Sequence, residues 1–251
     1  MVRNVVLPPV CVSSLLCAAV FFLLPACNQE KDAAKKPEAP PKEASKPAAA
    51  TQSKKADSGD WRSLFDGKTF ANWKETDFGG QAKPRIEKGT IILPAGTMLT
   101  GITYTGSDYP KTNYDIELEA QRVEGSDFFC GLTFPVGDSA ASLILGGWGG
   151  TLCGISSLNG EDAANNETTK MITFEEKRWY KVLVRVEDNR LSAWLDNDRI
   201  VDAKTKGRKV DVRIEVEASK PLGIATYGTT GAIRNIRVRM LQPDELTKEE
   251  E

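Results

Sequence analysis

Tyr114-Asp115-Ile116-Glu117-Leu118-Glu119-Ala120 alternates apolar and acidic residues with a period of two. Successive side chains of an extended chain point to opposite faces. Tyr114, Ile116 and Leu118 therefore share one face, and Asp115, Glu117 and Glu119 share the other. The pattern predicts a half-buried strand. The same period recurs outward from this stretch: Val182, Val184 and Val186; Leu191, Ala193 and Leu195; Val210, Val212, Ile214 and Val216; then Ile233, Ile236 and Val238. Turn-forming groups stand between these runs, namely Glu87-Lys88-Gly89, Glu187-Asp188-Asn189, Asp196-Asn197-Asp198 and Thr229-Thr230-Gly231. Asn and Asp tolerate the positive φ of tight hairpin turns, so the run from Val182 through Leu195 to Ile200-Val201 predicts two successive hairpins. The sequence contains no long amphipathic helical pattern. Many short strands with regular turns predict an all-β antiparallel sandwich or barrel.

The strand pattern is confined to residues 60–241, which also hold all five Trp. That is length enough for one hydrophobic core. What precedes it differs. Arg3 is followed by an apolar run from Val5 to Leu24, then by Leu24-Pro25-Ala26-Cys27 and polar Asn28-Gln29-Glu30-Lys31. A positive start, an apolar middle and a small-residue cleavage site predict an export signal over residues 1–26. Pro8, Pro9 and Pro25 argue against a spanning helix. The Leu-x-Ala-Cys segment resembles the bacterial lipoprotein processing motif, which implies acylation of Cys27 and attachment to a membrane on the exported side. Asn28, rather than Asp, implies the outer membrane. Residues 27–59 are rich in Ala, Lys, Pro and Glu with no aromatic side chain, and predict a disordered tether. Residues 242–251 form a charged tail.

A formal net charge of −2 selects no strongly charged partner. Lys204-Thr205-Lys206-Gly207-Arg208-Lys209 reads as a solvated loop, and no nucleic-acid partner is expected. A monomer is expected. Of five Cys, Cys11 and Cys17 fall in the signal and Cys27 is the lipidation position, leaving Cys130 and Cys153 for the domain. An exported pair can form a disulfide; two buried thiols in apolar strands fit equally well. The chain has no His. That excludes Ser–His and Cys–His nucleophiles and His-based metal sites, and leaves carboxylates, or a hard cation such as calcium held by oxygen ligands.

Three segments carry a family resemblance. The opening is Trp61-Arg62-Ser63-Leu64-Phe65-Asp66-Gly67-Lys68 with Trp73. The middle is Arg178-Trp179-Tyr180 and the hairpin ending Asp196-Asn197-Asp198-Arg199-Ile200-Val201. The close is Pro221-Leu222-Gly223-Ile224-Ala225-Thr226-Tyr227, then Ile233-Arg234-Asn235-Ile236-Arg237-Val238. Together they resemble the 3-keto-disaccharide hydrolase domain family. The resemblance implies a concanavalin A-like, two-sheet jelly-roll sandwich and an exported, carbohydrate-active protein that hydrolyses 3-keto-disaccharides. A non-catalytic carbohydrate-binding or surface module is the alternative on the same fold. The family's usual Asn-Ser-Gly and Tyr-Glu segments have no counterpart in Phe128–Phe134 or Ser142–Gly150, so no catalytic residue is carried over.

The site must then be sought in the residues themselves. Gly146-Gly147-Trp148-Gly149-Gly150 sets an indole among four glycines. Gly permits close backbone approach to a ligand, and Trp offers a flat apolar face on which sugars stack. A polar loop follows, Ser156 to Glu161-Asp162 and Asn165-Asn166-Glu167-Thr168-Thr169. Trp148 and Asn166 are the expected substrate-binding residues. Glu167 is the expected general acid or base, with Asp162 the second carboxylate. The row Asp115, Glu117, Glu119 is expected to be a solvated outer face or a cation site. Trp194 packs or lines a groove, and Trp61, Trp73 and Trp179 belong to the core or its edges.

Overall fold

In the computed structural model the acidic–apolar stretch is the first half of a long central strand, Tyr114–Glu124. Residues 60–247 are described. The signal over 1–26, Cys27, the tether to residue 59 and the last four residues of the tail lie outside them.

In chain order the strands are β1 (Arg62–Ser63), β2 (Trp73–Glu75), β3 (Arg85–Glu87), β4 (Thr90–Leu93) and β5 (Leu99–Tyr104). Next come β6 (Tyr114–Glu124), β7 (Cys130–Val136), β8 (Ser139–Gly147), β9 (Leu152–Ser156) and β10 (Lys170–Met171). Last are β11 (Trp179–Glu187), β12 (Arg190–Leu195), β13 (Asp198–Lys204), β14 (Gly223–Tyr227) and β15 (Thr230–Met240). They form two antiparallel sheets, a jelly-roll sandwich. One is eight-stranded, in the order β13-β12-β11-β6-β15-β4-β3 with β1 beside β15. The other is seven-stranded, in the order β10-β9-β8-β7-β14-β5-β2.

The period-two runs dictate this arrangement. Ile116, Leu118, Val182 and Val184 from the first sheet meet Leu132, Phe134, Leu143 and Leu145 from the second, all buried. Burying each such side chain contributes about 1.5–3 kcal/mol. At one end Phe174 sits edge-on to both Phe129 and Tyr180, with ring centroids 4.9 and 5.1 Å away. The two predicted hairpins are present: Asp188-Asn189 joins β11 to β12, and Asp196-Asn197, with Asp196 at φ +54°, joins β12 to β13.

The opening segment of the resemblance is scaffold. Asp66 accepts the backbone N–H groups of Lys68 and Thr69 at 2.7 and 2.8 Å, turning the chain. Those bonds hold its carboxyl well below the usual range, at about 2. The buried Trp73 indole donates to the Leu64 carbonyl at 2.9 Å, which fastens the turn to the core.

Three expectations are corrected or resolved. Val210 to Val216 is not a strand: Val210 makes one isolated bridge with Leu158, and Ile214–Ser219 is a 3-10 helix. The backbone N–H of Val216 bonds to the Arg213 carbonyl, which curls the chain and turns Val212 and Val216 onto the seven-stranded sheet while Ile214 is 85% exposed. The acidic row is not solvated: Asp115 and Glu117 are buried under cationic partners. Cys130 and Cys153 are free buried thiols. Leu145 pairs with Cys130 on one side and Cys153 on the other. Two strand spacings, roughly 9–10 Å, therefore separate them, beyond disulfide reach. Burial pushes the Cys130 thiol up to about 12 and the Cys153 thiol to about 11.

Candidate functional site

The outer face of the seven-stranded sheet is made of small residues. Gly101, Gly131, Gly154 and Gly223 alternate there with the core side chains of β5, β7, β9 and β14. Other segments lie across it: an added Cβ would meet Phe78 at Gly101, Phe128 at Gly131, Ala163 and Thr168 at Gly154, and Ser219 at Gly223. Between these crossing segments a groove of about 350 Å³ stays open. Trp148, Phe128, Tyr227 and Met98 supply its apolar rim, Ser142, Ser156, Ile144 and Leu99 reach it from the strands, and Asp127, Arg213 and Glu215 supply charge.

Trp148 stands at the tip of the β8–β9 connection with 47% of its surface exposed and φ +49°. The glycines around it have a reason the sequence did not suggest. Arg122 is buried beneath the loop and donates from Nη2 to the carbonyl of Gly150 at 2.7 Å and to that of Gly146 at 3.3 Å. A Cβ on Gly146 would lie 2.4 Å from that nitrogen. Gly146, at φ +76°, makes room for the guanidinium, and Gly150, at φ +113°, for the Ser126 carbonyl, rather than for a ligand. Arg122 also lies over the rings of Phe129 and Phe174, 5.2 and 5.7 Å from their centroids. From the side, Asp127 accepts the backbone N–H of Gly149 at 3.1 Å and that of Phe128 at 2.7 Å. Arg122 and Asp127 thus fix the platform from two directions.

The four residues expected at the site are placed differently from one another. Trp148 lines the groove. Asp162 stands one step behind it: its Oδ2 accepts from Arg213 Nη1 at 2.7 Å, and Arg213 lines the groove. Asn166 is buried, and its amide nitrogen donates to the carbonyls of Ile155, Glu161 and Asp162 at 2.8, 3.1 and 2.8 Å. Its oxygen accepts from the N–H and hydroxyl of Thr168. It therefore staples the polar loop to β9. Glu167 pairs with Arg208 and is not among the groove's lining residues. Sequence reasoning missed Asp127, Arg213, Glu215 and Tyr227, and took Ser156 only as the start of the polar loop. They come from four separate segments, and no spacing connects them.

A family model described as the 3-keto-alpha-glucoside-1,2-lyase-like domain matches residues 60–239. The chain belongs to this family. A search of curated proteins finds no match. Among solved structures, a candidate glycosyl hydrolase from Parabacteroides distasonis is 16% identical, with 73% of this chain and 94% of that one covered and a TM-score of 0.47. The carbohydrate-binding module CBM66 from Bacillus subtilis is 14% identical, with 67% and 95% covered and a TM-score of 0.45. Domain 4 of the arabinanase AbnA from Geobacillus stearothermophilus, solved with arabinotriose, is 12% identical, with 69% and 85% covered and a TM-score of 0.43. At such identities the likeness says nothing about ligand.

The chemistry available to this family member is narrow. Arg213 donates to Glu215 from Nη2 at 2.7 Å and from Nε at 3.2 Å. That fork holds the Glu215 carboxyl below its usual range, so it is a carboxylate at neutral pH. Each Asp127 oxygen already accepts a backbone N–H. The groove therefore offers two carboxylates whose oxygens are all engaged, those of Glu215 by the Arg213 side chain and those of Asp127 by backbone N–H groups. Among the described residues no group of three or more Cys, Asp or Glu side chains is placed to hold a metal ion. The calcium expectation finds no carboxylate cluster there.

Proposed function

We propose that the groove on the seven-stranded sheet recognises a glycoside by stacking one sugar ring on Trp148, beside Phe128 and Tyr227. The chain is a member of a carbohydrate-active family, and the groove fits that class. The observation that carries the reading is the grouping of an exposed, doubly braced indole with the Arg213–Glu215 pair around one groove. Aromatic faces bind the C–H side of a sugar, and charged forks bind its hydroxyls.

The finer reading is cleavage of a 3-keto-glucoside. A ketone at C3 acidifies the proton at C2. Glu215 is the candidate base for that proton; the Arg213 fork that engages both its oxygens and lowers its pKa must open for it to act. The C2–H electron pair then forms the C1–C2 double bond, and the C1–O bond breaks. The aglycone leaves with the C1–O bond pair and takes a proton from water. This route needs one base. Direct hydrolysis needs two carboxyls, one of them protonated, and Asp127 and Glu215 are poorly suited to that division of roles. A domain that binds without cleaving is the second reading, favoured by the engagement of both oxygens of Asp127 and both of Glu215. Export and attachment through Cys27 to the outer membrane accompany either reading. Cys27→Ala should abolish palmitate labelling, and labelling that persists would refute the anchor.

The test is calorimetric titration of the full chain with methyl 3-keto-α-glucoside, paired with a product assay. Trp148→Ala should weaken binding about tenfold or more. Glu215→Gln should keep binding and abolish cleavage. Binding unchanged by Trp148→Ala would overturn the groove. Binding without cleavage in the wild type would leave the recognition reading and remove the enzymatic one.

A further inference from the structure

The outer face of the seven-stranded sheet carries a row of hydroxyls in register. Thr103 on β5 pairs with Gly223 on β14, Gly223 with Thr133 on β7, Thr133 with Ser142 on β8, and Ser142 with Ser156 on β9. All four hydroxyl residues are buried. Three of them have partners. Thr103 Oγ1 bonds to Thr76 Oγ1 at 2.7 Å and donates to the Ala218 carbonyl at 3.0 Å. Thr133 and Ser142 bond to one another at 2.8 Å. Ser156 is 2% exposed, and its Oγ has no hydrogen-bond partner. It is the end of the row, and it lines the groove, at the end of β9 away from the Trp148 loop.

An unpaired buried hydroxyl is destabilising, and nearly all such groups in folded proteins are paired. The two neighbouring hydroxyls on the same face satisfy each other, so the local packing does not forbid pairing. Arg122 Nε and Ser219 Oγ also lack a partner; of the three residues, Ser156 alone lines the groove. A ligand lying in the groove would bring an oxygen to it.

We infer that Ser156 is a ligand-contacting residue, donating its hydroxyl hydrogen to an oxygen of the glycoside held in the groove. This rests on the reading of the groove as a carbohydrate site and names the contact that sets how deeply the glycoside sits. Glu215 and Arg213 then meet it from the rim. A ketone oxygen, which only accepts, suits a donor with no other acceptor at hand.

The experiment is titration of the full chain and of Ser156→Ala with methyl 3-keto-α-glucoside and with methyl α-glucoside, with thermal unfolding of both proteins. Ser156→Ala should weaken binding of the keto probe on the order of three- to tenfold. Its unliganded Tm should equal or exceed that of the wild type, because the substitution removes an unpaired polar group. Should Ser156→Ala fail to fold, Ser156→Cys retains the side-chain size with a poor donor, and the same loss of affinity is expected. Wild-type affinity in the variant would overturn the inference alone. A lowered Tm with unchanged affinity would also overturn it, marking Ser156 as structural. If the wild type binds neither probe, the carbohydrate reading of the groove falls first and this contact falls with it.

Discussion

On the outer face of the eight-stranded sheet, Trp61 and Trp179 lie under Arg237 and Arg234, with guanidinium carbons 4.4 and 4.0 Å from the ring centroids. The same cations neutralise the acidic row. Arg185 and Arg239 both bond to Asp115, Arg237 and Lys181 to Glu117, and Arg234 with Asn235 to Glu119. On the outer face of the seven-stranded sheet, Trp148 has no cation over it among the described cation–ring pairs, and Ser156 lacks a partner. Its charged fork sits at the rim of open space. Both faces thus carry Trp, Arg and carboxylates. On one, the acidic row is taken up by its neighbours, although a second groove of about 460 Å³ opens among Trp61, Glu117, Lys181 and Arg237. On the other, the strands bear small residues, loops arch over them, and some polar capacity stays unused. Residue type alone does not separate a site from a structural ladder; the pairing of each group does.

The largest effect that would break this contrast lies on the ladder. Asp115 is fully buried between two arginines, and removing one partner of a buried pair costs about 3–5 kcal/mol. Asp115→Asn should therefore lower stability by about 3 kcal/mol in urea unfolding and leave glycoside affinity intact. A loss below about 1 kcal/mol would place the row among solvated surface pairs. Next is Arg122, where the two faces' logic meets, since a buried cation here serves the site. Its carbonyl bonds are of the charge-assisted kind, worth about 1.5–3 kcal/mol. Arg122→Met should cost about 2 kcal/mol and also weaken binding several-fold, because the Trp148 loop loses its lower support. Stability lost with affinity kept would show that Asp127 alone suffices to hold the platform.

The smallest effect is in pH. Burial pushes the Glu119 carboxyl up, but hydrogen bonds from Asn235 and Arg234 more than offset it, and its folded pKa is lowered. Glu245 behaves alike, burial being outweighed by the Gln242 N–H and by Arg239. A lowered carboxyl pKa gives stability that is present above the ordinary value and is lost as pH falls through the folded value. Stability should hold from neutrality down to about pH 5 and decline in more acid solution. Affinity at the groove should be flat between about pH 5.5 and 8, since the chain has no His and Glu215 stays ionised there. A bell centred in that interval, read by titration at several pH values, would point to a group not yet identified.

The sandwich was legible in the sequence because its strands bury one face, and burial writes a period of two into β6, β11 and β12. The same signal misled at Val210 to Val216. There a segment crosses the sheet with Val212 and Val216 inward, and over so few residues a curled turn and a strand share those positions. The site was legible only in part. Trp148 showed itself through its glycines, yet Gly146 answers to Arg122 and Gly150 to the Ser126 carbonyl, both outside the loop. Asn166 and Glu167 had the right chemistry for a sugar and are engaged elsewhere, by backbone carbonyls and by Arg208. Asp127, Arg213, Tyr227 and Ser156 meet only through the order of strands, which is a long-range property. Ser156 is the sharpest case: read as the start of a polar loop, it ends β9 and combines an unpartnered hydroxyl with a place in the groove.

The most direct measurement of the contrast between the faces is a nitrogen–proton correlation spectrum of the full chain during titration with methyl 3-keto-α-glucoside. Each Trp indole gives its own signal. The groove predicts shifts at the Trp148 indole and at the backbone of Asp127, Ser156, Arg213 and Tyr227, with the Trp61 and Trp179 indoles unmoved. Shifts at Trp61, Lys181 and Arg237 with a silent Trp148 would contradict it, and would move the binding face to the other sheet.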